Sequence, residues 1–359
     1  MTQSIAEEAI RVAGQSPVAV VRHPSLVERV VFVGGHPGCG KSLMTAVIGS
    51  FARVEIQKYN YTLEHICSLA HVGAIDEGAA TAMIRMLTDM DLYNMMMSRE
   101  TNLRPSDCSS IFQNPGPWRY LRRLFLPEGA AAVERIKRTK PILHTLTHNL
   151  LVLSPPLFQA LGDRIRLIEL VRHPLYMVKQ WYLYIERYAA DARDFTICFD
   201  YHGDSLPFFA RGWEEQYLGS TPMDRAIHSI SHLSAFGAQV LCGLSEDEKA
   251  RVMVVPFERF VLDPWPYLQQ LEALLGTTVT PLTRRELKRQ HVPRKMIAEA
   301  MPLPIYKQYG WEPPEKGSNE RQELERRRRY AAEHATPKGM EELDRLSREY
   351  EETYLRDIL

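Results

Sequence analysis

Val30-Val31-Phe32-Val33-Gly34-Gly35-His36-Pro37-Gly38-Cys39-Gly40-Lys41-Ser42 decides the fold of this chain. Four apolar, mostly β-branched residues predict a buried strand, and Leu43-Met44-Thr45-Ala46-Val47-Ile48 suits a helix. Between them, Gly35 to Ser42 fits G-x-x-x-x-G-K-[ST] at every fixed position. Glycines in such a loop let successive N–H groups converge on phosphate oxygens, the lysine adds a cation, and the helix turns its positive end toward the anion. Gly35, His36, Pro37, Gly38, Cys39, Gly40, Lys41 and Ser42 are therefore candidate phosphate-binding residues, and the Ser42 hydroxyl is of a kind that ligates magnesium.

Working outward, the 359 residues suit a P-loop core with helical insertions. Lys+Arg and Asp+Glu balance at 44 each, which removes any global electrostatic argument for a nucleic acid or an anionic membrane, so the expected partner is a small molecule. Homo-oligomerisation stays open. Cys39, Cys67, Cys108, Cys198 and Cys242 are odd in number and lack C-x-x-C spacing, so neither a disulfide framework nor a zinc site is expected and a reducing compartment fits. Glu7, Glu8 and Arg11 stand where a signal peptide needs an apolar core, and no apolar run approaches the roughly 18 residues of a membrane span. A cytoplasmic protein is expected.

The organisation reads as an N-terminal extension over 1–28 with a short helix from Ile5 to Val12, a P-loop domain over 29–300, and a charged helical C-terminal extension over 301–359. Further strands are expected near Val54-Glu55-Ile56 and at Pro141–Leu146, Ile165–Val171 and Arg251–Pro256, and helices at Leu63–Met97 with a break near His71–Gly73, Pro155–Leu161, Leu175–Tyr188 and Trp265–Leu275. Strands alternating with helices imply parallel pairing: an α/β fold with a doubly wound parallel P-loop sheet, helical insertions and a helical C-terminal tail. Ligand groups in such sheets gather at the carboxyl ends of the strands, here the P-loop, His144 to His148, Arg172 to Lys179 and Glu258. Met95-Met96-Met97 reads as a gap-filling helix face. The polar stretch from Ser98 to Pro117 reads as a loop whose Arg99 and Arg104 are candidates for phosphates, and Arg326-Arg327-Arg328-Arg329 as a solvated face of two exposed helices or, as a lesser reading, an anion site.

Three blocks together resemble the sulfotransferase family, which uses 3'-phosphoadenosine 5'-phosphosulfate (PAPS) on a P-loop, nucleotide-kinase-like fold. They are the strand-loop-helix at 30–50, Ile165-Arg166-Leu167-Ile168-Glu169-Leu170-Val171-Arg172-His173-Pro174, similar to the family's strand ending in Arg-x-Pro, and Val255-Pro256-Phe257-Glu258-Arg259-Phe260-Val261-Leu262-Asp263-Pro264, similar to its Tyr-Glu-Asp-Leu followed by Asp-Pro. The resemblance implies that Arg172 grips the donor's 3'-phosphate, a role suited to bidentate guanidinium pairing. It departs at two places. The family's loop lysine falls on Gly38, so Lys41 would serve instead, and its serine eight residues after the strand-ending arginine is Gln180, for which Gln180 or Lys179 would substitute. Arg289, Arg294 and Lys295 lie where the family places a loop over the 3'-phosphate.

Sulfuryl transfer needs a base for the acceptor hydroxyl or amine, and histidine is the usual choice. His148 and His144 flank the end of the second strand, with His148 favoured. The stretch from Phe199 to Trp213 mixes aromatics with short acids and reads equally as a sugar platform or as a lid over the core. The leading expectation is a PAPS-dependent sulfotransferase, giving 3',5'-adenosine bisphosphate as product. The rivals are an ATP- and magnesium-dependent small-molecule kinase, with Glu169 or Asp200 as its carboxylate, and a non-catalytic nucleotide-binding module whose charged tail binds a protein.

Overall fold

The computed structural model describes residues 20–107, 109–188, 191–192, 194–299, 307, 311–356 and 358. The helix expected from Ile5 to Val12 lies outside the described residues. Among the described residues seven strands form: β1 (Val30–Gly35), β2 (Lys58–Tyr59), β3 (Leu143–Leu146), β4 (Ile165–Val171), β5 (Cys198–Tyr201), β6 (Asp204–Pro207) and β7 (Val252–Pro256). Five of them make one parallel sheet in the order β2-β3-β1-β4-β7, while β5 and β6 form a separate antiparallel hairpin.

All six residues of β1 are buried, and so are five of the seven in β4, because helices cover both faces of a parallel sheet. The register sets Val31 against His144 and Gly34 against Glu169. The order places β1 between β3 and β4, so the loop leaving β1 is flanked by the loops leaving those two strands. In place of a strand at Val54-Glu55-Ile56 there is one isolated bridge between Val54 and Ile142, and the pairing moves on to Lys58 and Tyr59. Glu55 is fully buried, gripped by both terminal nitrogens of Arg123 at 2.7 and 2.9 Å and by the Tyr120 hydroxyl at 3.0 Å.

Helix boundaries follow local chemistry. Asn60 and Asp76 cap Tyr61–His71 and Glu77–Met95 by accepting from Leu63 and Ala79 N–H groups, and the two helices flank the break at His71–Gly73. Thr221 caps the 22-residue helix Pro222–Gly243, which opens on proline at its first position. The methionines at 95–97 are buried.

The C-terminal helices Glu320–Ala332 and Pro337–Tyr350 exist where expected but are not two exposed rods, since Ala331, Leu343 and Leu346 join the main core. Leu343, Leu346 and Tyr350 recur at helical spacing, which is the stripe that docks. Of the four arginines Arg329 is exposed as expected, while the other three are engaged by carboxylates. Arg326 pairs with Glu323 at 2.9 Å and Glu312 at 3.3 Å, and Arg328 grips Asp344 bidentately at 2.8 and 2.6 Å, tying the two helices together.

Candidate nucleotide and transfer site

Gly35, Gly38 and Gly40 take φ of 125°, 88° and 102°, which L side chains rarely adopt, so the loop's backbone path depends on these three positions being glycine. Cys39 N–H donates to His36 O, and Leu43 and Met44 N–H both donate to Gly40 O. Among the described residues the N–H groups of Gly38, Gly40 and Ser42 donate to no backbone carbonyl, while that of Lys41 is turned to the Cys39 sulfur. Unspent donors in a loop at the start of an eight-residue helix make a cradle that fits a phosphate.

Lys41 is buried and folds back, donating to Gly35 O at 2.6 Å and His36 O at 2.8 Å. Its ammonium is thus held at the base of the loop, ready to exchange carbonyls for a phosphate oxygen. Cys39 is buried beneath it. His36 is fixed between Asn149 Oδ1 at 2.9 Å and Ser234 Oγ at 3.1 Å, and burial drops its ring to about 4, so it serves as a neutral strut.

Arg172, directly after β4, donates to Gly38 O at 2.7 Å and stacks over Phe257 (4.3 Å) and Tyr176 (4.7 Å). Its Nε is buried without a partner, and among the described residues it forms no ion pair. A half-buried cation with no counter-ion, touching a phosphate loop, is the electrostatic setting that suits an anion. Gln180, on the helix Pro174–Arg187, also reaches the loop: a Cβ on Gly38 would lie 3.0 Å from its Oε1. Lys179 instead pairs with Glu312 at 2.8 Å.

The candidates from 289 to 295 separate. Arg294 is brought to the site, its guanidinium 5.4 Å from the Phe257 ring that Arg172 also covers, with a bond to Ile297 O at 3.1 Å. Lys295, next to it, is exposed. Arg289 is not brought there: it closes on Glu286 at 2.6 Å and on Gln113 O at 2.7 Å, anchoring the helix Pro281–Arg289 to the loop before residue 117. Arg99 and Arg104 are likewise taken, by Glu128 and, at 3.6 Å, by Asp107.

His144 and His148 have the same strand parity but different depths. His144 is fully buried in β3, bonded through Nδ1 to Glu55 O at 3.3 Å, and burial drops its ring to about 4. It cannot meet a substrate, which corrects its candidacy as base. His148 lies beyond the end of β3, between Thr147, whose N–H donates to Val33 O, and Asn149, whose N–H donates to Gly35 O. Its side chain is 35% exposed. Nδ1 hydrogen-bonds the Tyr59 hydroxyl, which donates to Glu64 Oε2 at 3.2 Å, and Glu64 also lies 3.5 Å from Nδ1 and accepts the His148 N–H at 3.0 Å. Burial alone would raise the Glu64 carboxyl, but the His148 hydrogen bonds and charge hold it below the ordinary carboxylate range. In the neutral tautomer that donates from Nδ1 to this pair, Nε2 carries the lone pair that a base needs. Sequence reasoning names His148 as the favoured base and does not name Tyr59 or Glu64, which bond to it.

Glu169 is buried on β4 beside Gly34, with Oε2 unpartnered. Burial pushes its carboxyl up to about 8, against the pull of Lys41 and of a hydrogen bond from Leu151 N–H. A carboxyl raised from 4.5 to about 8 on folding binds its proton more tightly in the native state. Stability is therefore full below the lower value and falls as pH rises across that window, by at most about 1.4 kcal/mol per pH unit. Glu169→Gln is expected to flatten that slope, so that urea midpoints of wild type and variant measured from pH 5 to pH 8 diverge with the variant the more stable at pH 8.

Glu258 is also fully buried, accepting His173 N–H at 3.0 Å and the Tyr350 hydroxyl at 2.5 Å. Asp200 is exposed on the hairpin, outside the P-loop sheet. Of the aromatic stretch, Phe208, Phe209 and Trp213 are buried, with Trp213 stacked on His232 at 4.4 Å. That half is a lid over the core, not a sugar platform. No helix of the described residues is long and apolar enough to cross a membrane.

No protein-family model and no curated protein matches this chain. Among solved structures it is similar to a sulfotransferase domain from the curacin biosynthetic pathway, at 12% identity over 87% of this chain and 99% of that one, TM-score 0.42. It is also similar to the sulfotransferase domain of the Synechococcus PCC 7002 olefin synthase (14%, 88% and 98%, 0.39) and to a sulfotransferase from Mycobacterium avium (12%, 98% and 81%, 0.43). The similarity is one of architecture alone.

Proposed function

We propose that this chain is a transferase of the sulfotransferase type, moving a sulfuryl group from PAPS to a hydroxyl or amine of a small acceptor. The observation that carries the reading is Arg172, an unpaired, partly buried guanidinium bonded to Gly38 of the phosphate loop. It supports a donor with two anionic ends, the 5'-phosphosulfate in the loop and a 3'-phosphate against Arg172.

In the reaction the acceptor oxygen or nitrogen attacks sulfur, its proton passes to Nε2 of His148, and the bond from sulfur to the bridging oxygen breaks with its electron pair leaving on the bisphosphate. Lys41 and the loop N–H groups neutralise that leaving oxygen. Glu64 and Tyr59 hold His148 in the tautomer that accepts the proton and stabilise the imidazolium that results. The burial of Phe208, Phe209 and Trp213 removes that half of the aromatic stretch as an argument for a carbohydrate acceptor.

The kinase reading keeps one observation in its favour, the Ser42 hydroxyl at the second position of the loop helix. Its carboxylate is less suited, because Glu169 is enclosed in the sheet. Calorimetric titration with 3',5'-adenosine bisphosphate, and with ATP with and without magnesium, separates the two. Metal-independent bisphosphate binding that weakens by about 10- to 100-fold in Arg172→Ala is expected, the worth of a partly buried charge-assisted pair. Magnesium-dependent ATP binding with no preference for a 3'-phosphate would overturn the sulfotransferase reading. Bisphosphate binding with no turnover, indifferent to His148, would leave a binding module.

A further inference from the structure

The structure assigns Arg327, on the C-terminal helix Glu320–Ala332, to the same anion subsite as Arg172, making it a residue that selects nucleotides carrying a second phosphate. The inference rests on the reading of the P-loop as a nucleotide site and adds to it a cation that no motif around the loop announces.

Tyr176, on the helix after Arg172, is the pivot. Its ring is covered by the Arg172 guanidinium at 4.7 Å and by that of Arg327 at 4.4 Å, so the two cations stand no farther apart than those distances together. Like charges held against one ring repel unless an anion lies between or beside them. The counter-charge within the protein is thin. Glu323, 1% exposed on its side chain, lies 3.8 Å from Arg327 and is shared with Arg326, which holds it closer at 2.9 Å, and Glu312, which also feels the Arg327 charge, is paired with Lys179 and Arg326. Glu320 is occupied by the Tyr176 hydroxyl and by the Ile297 N–H.

Both guanidiniums keep a buried Nε without a partner. The Arg327 side chain is only 13% exposed, so that donor is withheld from bulk water as well. Two guanidiniums with a buried, unspent Nε donor each, both against one phenol ring and one of them bonded to the phosphate loop, form the setting in which a phosphate is bound by forked hydrogen bonds. Burial depresses the Arg327 guanidinium from its ordinary value, and Arg172 adds to that depression. A phosphate dianion would relieve both effects.

The test is calorimetric affinity for 3',5'-adenosine bisphosphate and for 5'-AMP, measured on wild type, Arg327→Met, Arg327→Lys and Lys41→Ala, with thermal melting to confirm folding. Wild type is expected to prefer the bisphosphate by tenfold or more. Arg327→Met should lose about tenfold or more on the bisphosphate while its 5'-AMP affinity holds, and Arg327→Lys, which keeps charge without the fork, should fall between. Equal losses on both nucleotides, or no loss on either in a folded variant, would overturn the assignment of Arg327 while Lys41→Ala still weakens both. If wild type binds neither nucleotide, or Lys41→Ala changes nothing, the P-loop reading itself fails and this inference with it.

Discussion

Replacing His148 with alanine is expected to lower turnover by about 10²- to 10⁴-fold, the usual worth of a positioned general base, with little change in donor affinity. The separation follows from geometry. His148 stands on the shoulder of β3, one residue from the Asn149 that braces His36, and none of its hydrogen bonds runs to the loop donors. Turnover is followed as release of 3',5'-adenosine bisphosphate from PAPS in the presence of a hydroxylated acceptor, and donor affinity by calorimetry. Glu64→Gln keeps the shape but removes the charge that steadies the imidazolium, so it should cost about tenfold in kcat and leave KM alone. A His148→Ala enzyme within threefold of wild type would remove the base from this site. A loss confined to donor affinity would instead make His148 a strut of the loop.

Gly40→Ala is expected to be among the most damaging single-methyl changes, with Gly35→Ala beside it. Gly40 sits at φ 102°, and a Cβ there would collide with the Phe257 ring. The backbone conformation alone costs on the order of 1–2 kcal/mol for an alanine, and the collision is with a side chain 3% exposed that cannot swing aside. Either the loop or Phe257 must move, and Phe257 is the ring on which Arg172 and Arg294 rest. Nucleotide affinity should fall by about 100-fold or more, because the loop N–H groups and Arg172 are displaced together. Phe257→Ala combined with Gly40→Ala should recover part of the lost thermal stability, since it removes the collision, but not the affinity, since it also removes the ring. Full recovery of binding in the double variant would mean that the ring is only an obstacle.

The frame of the molecule was readable because its signals are local. Val30 to Ile48 carry strand, turn and helix without a gap, and Ile165–Val171 is an apolar run whose limits coincide with β4. The partners of the base were not readable, because Glu64 and Tyr59 reach His148 across 84 and 89 residues of chain. Nothing in the spacing of a helix at 61–71 says which strand end it will face. His144 and His148 could have been told apart by depth, since position 148 falls past the last residue of β3, where ligand groups gather. Arginine content was misleading in a different way. Arg289, Arg99 and Arg104 look like Arg294 in sequence, and only folding shows that the first three already have carboxylates. The tail was read as solvated because charge dominates its composition, while the stripe that docks it is only a few residues wide.

The grip of the tail on the sheet also fixes when the site can exist. A nascent chain that has reached residue 319 holds all seven strands of the described residues, the phosphate loop and Arg172, and yet Glu258 still lacks the Tyr350 hydroxyl and His173 lacks its 3.0 Å bond to Glu351. Both are fully enclosed in the finished molecule, so before residues 320–355 emerge the end of β4 next to Arg172 is an open seam with unsatisfied polar groups. Synthesis proceeds from the amino end, so the phosphate loop is made early and the enclosure of its neighbour late. An interrupted product would carry the loop and Arg172 without the tail residues that enclose the end of β4 beside them.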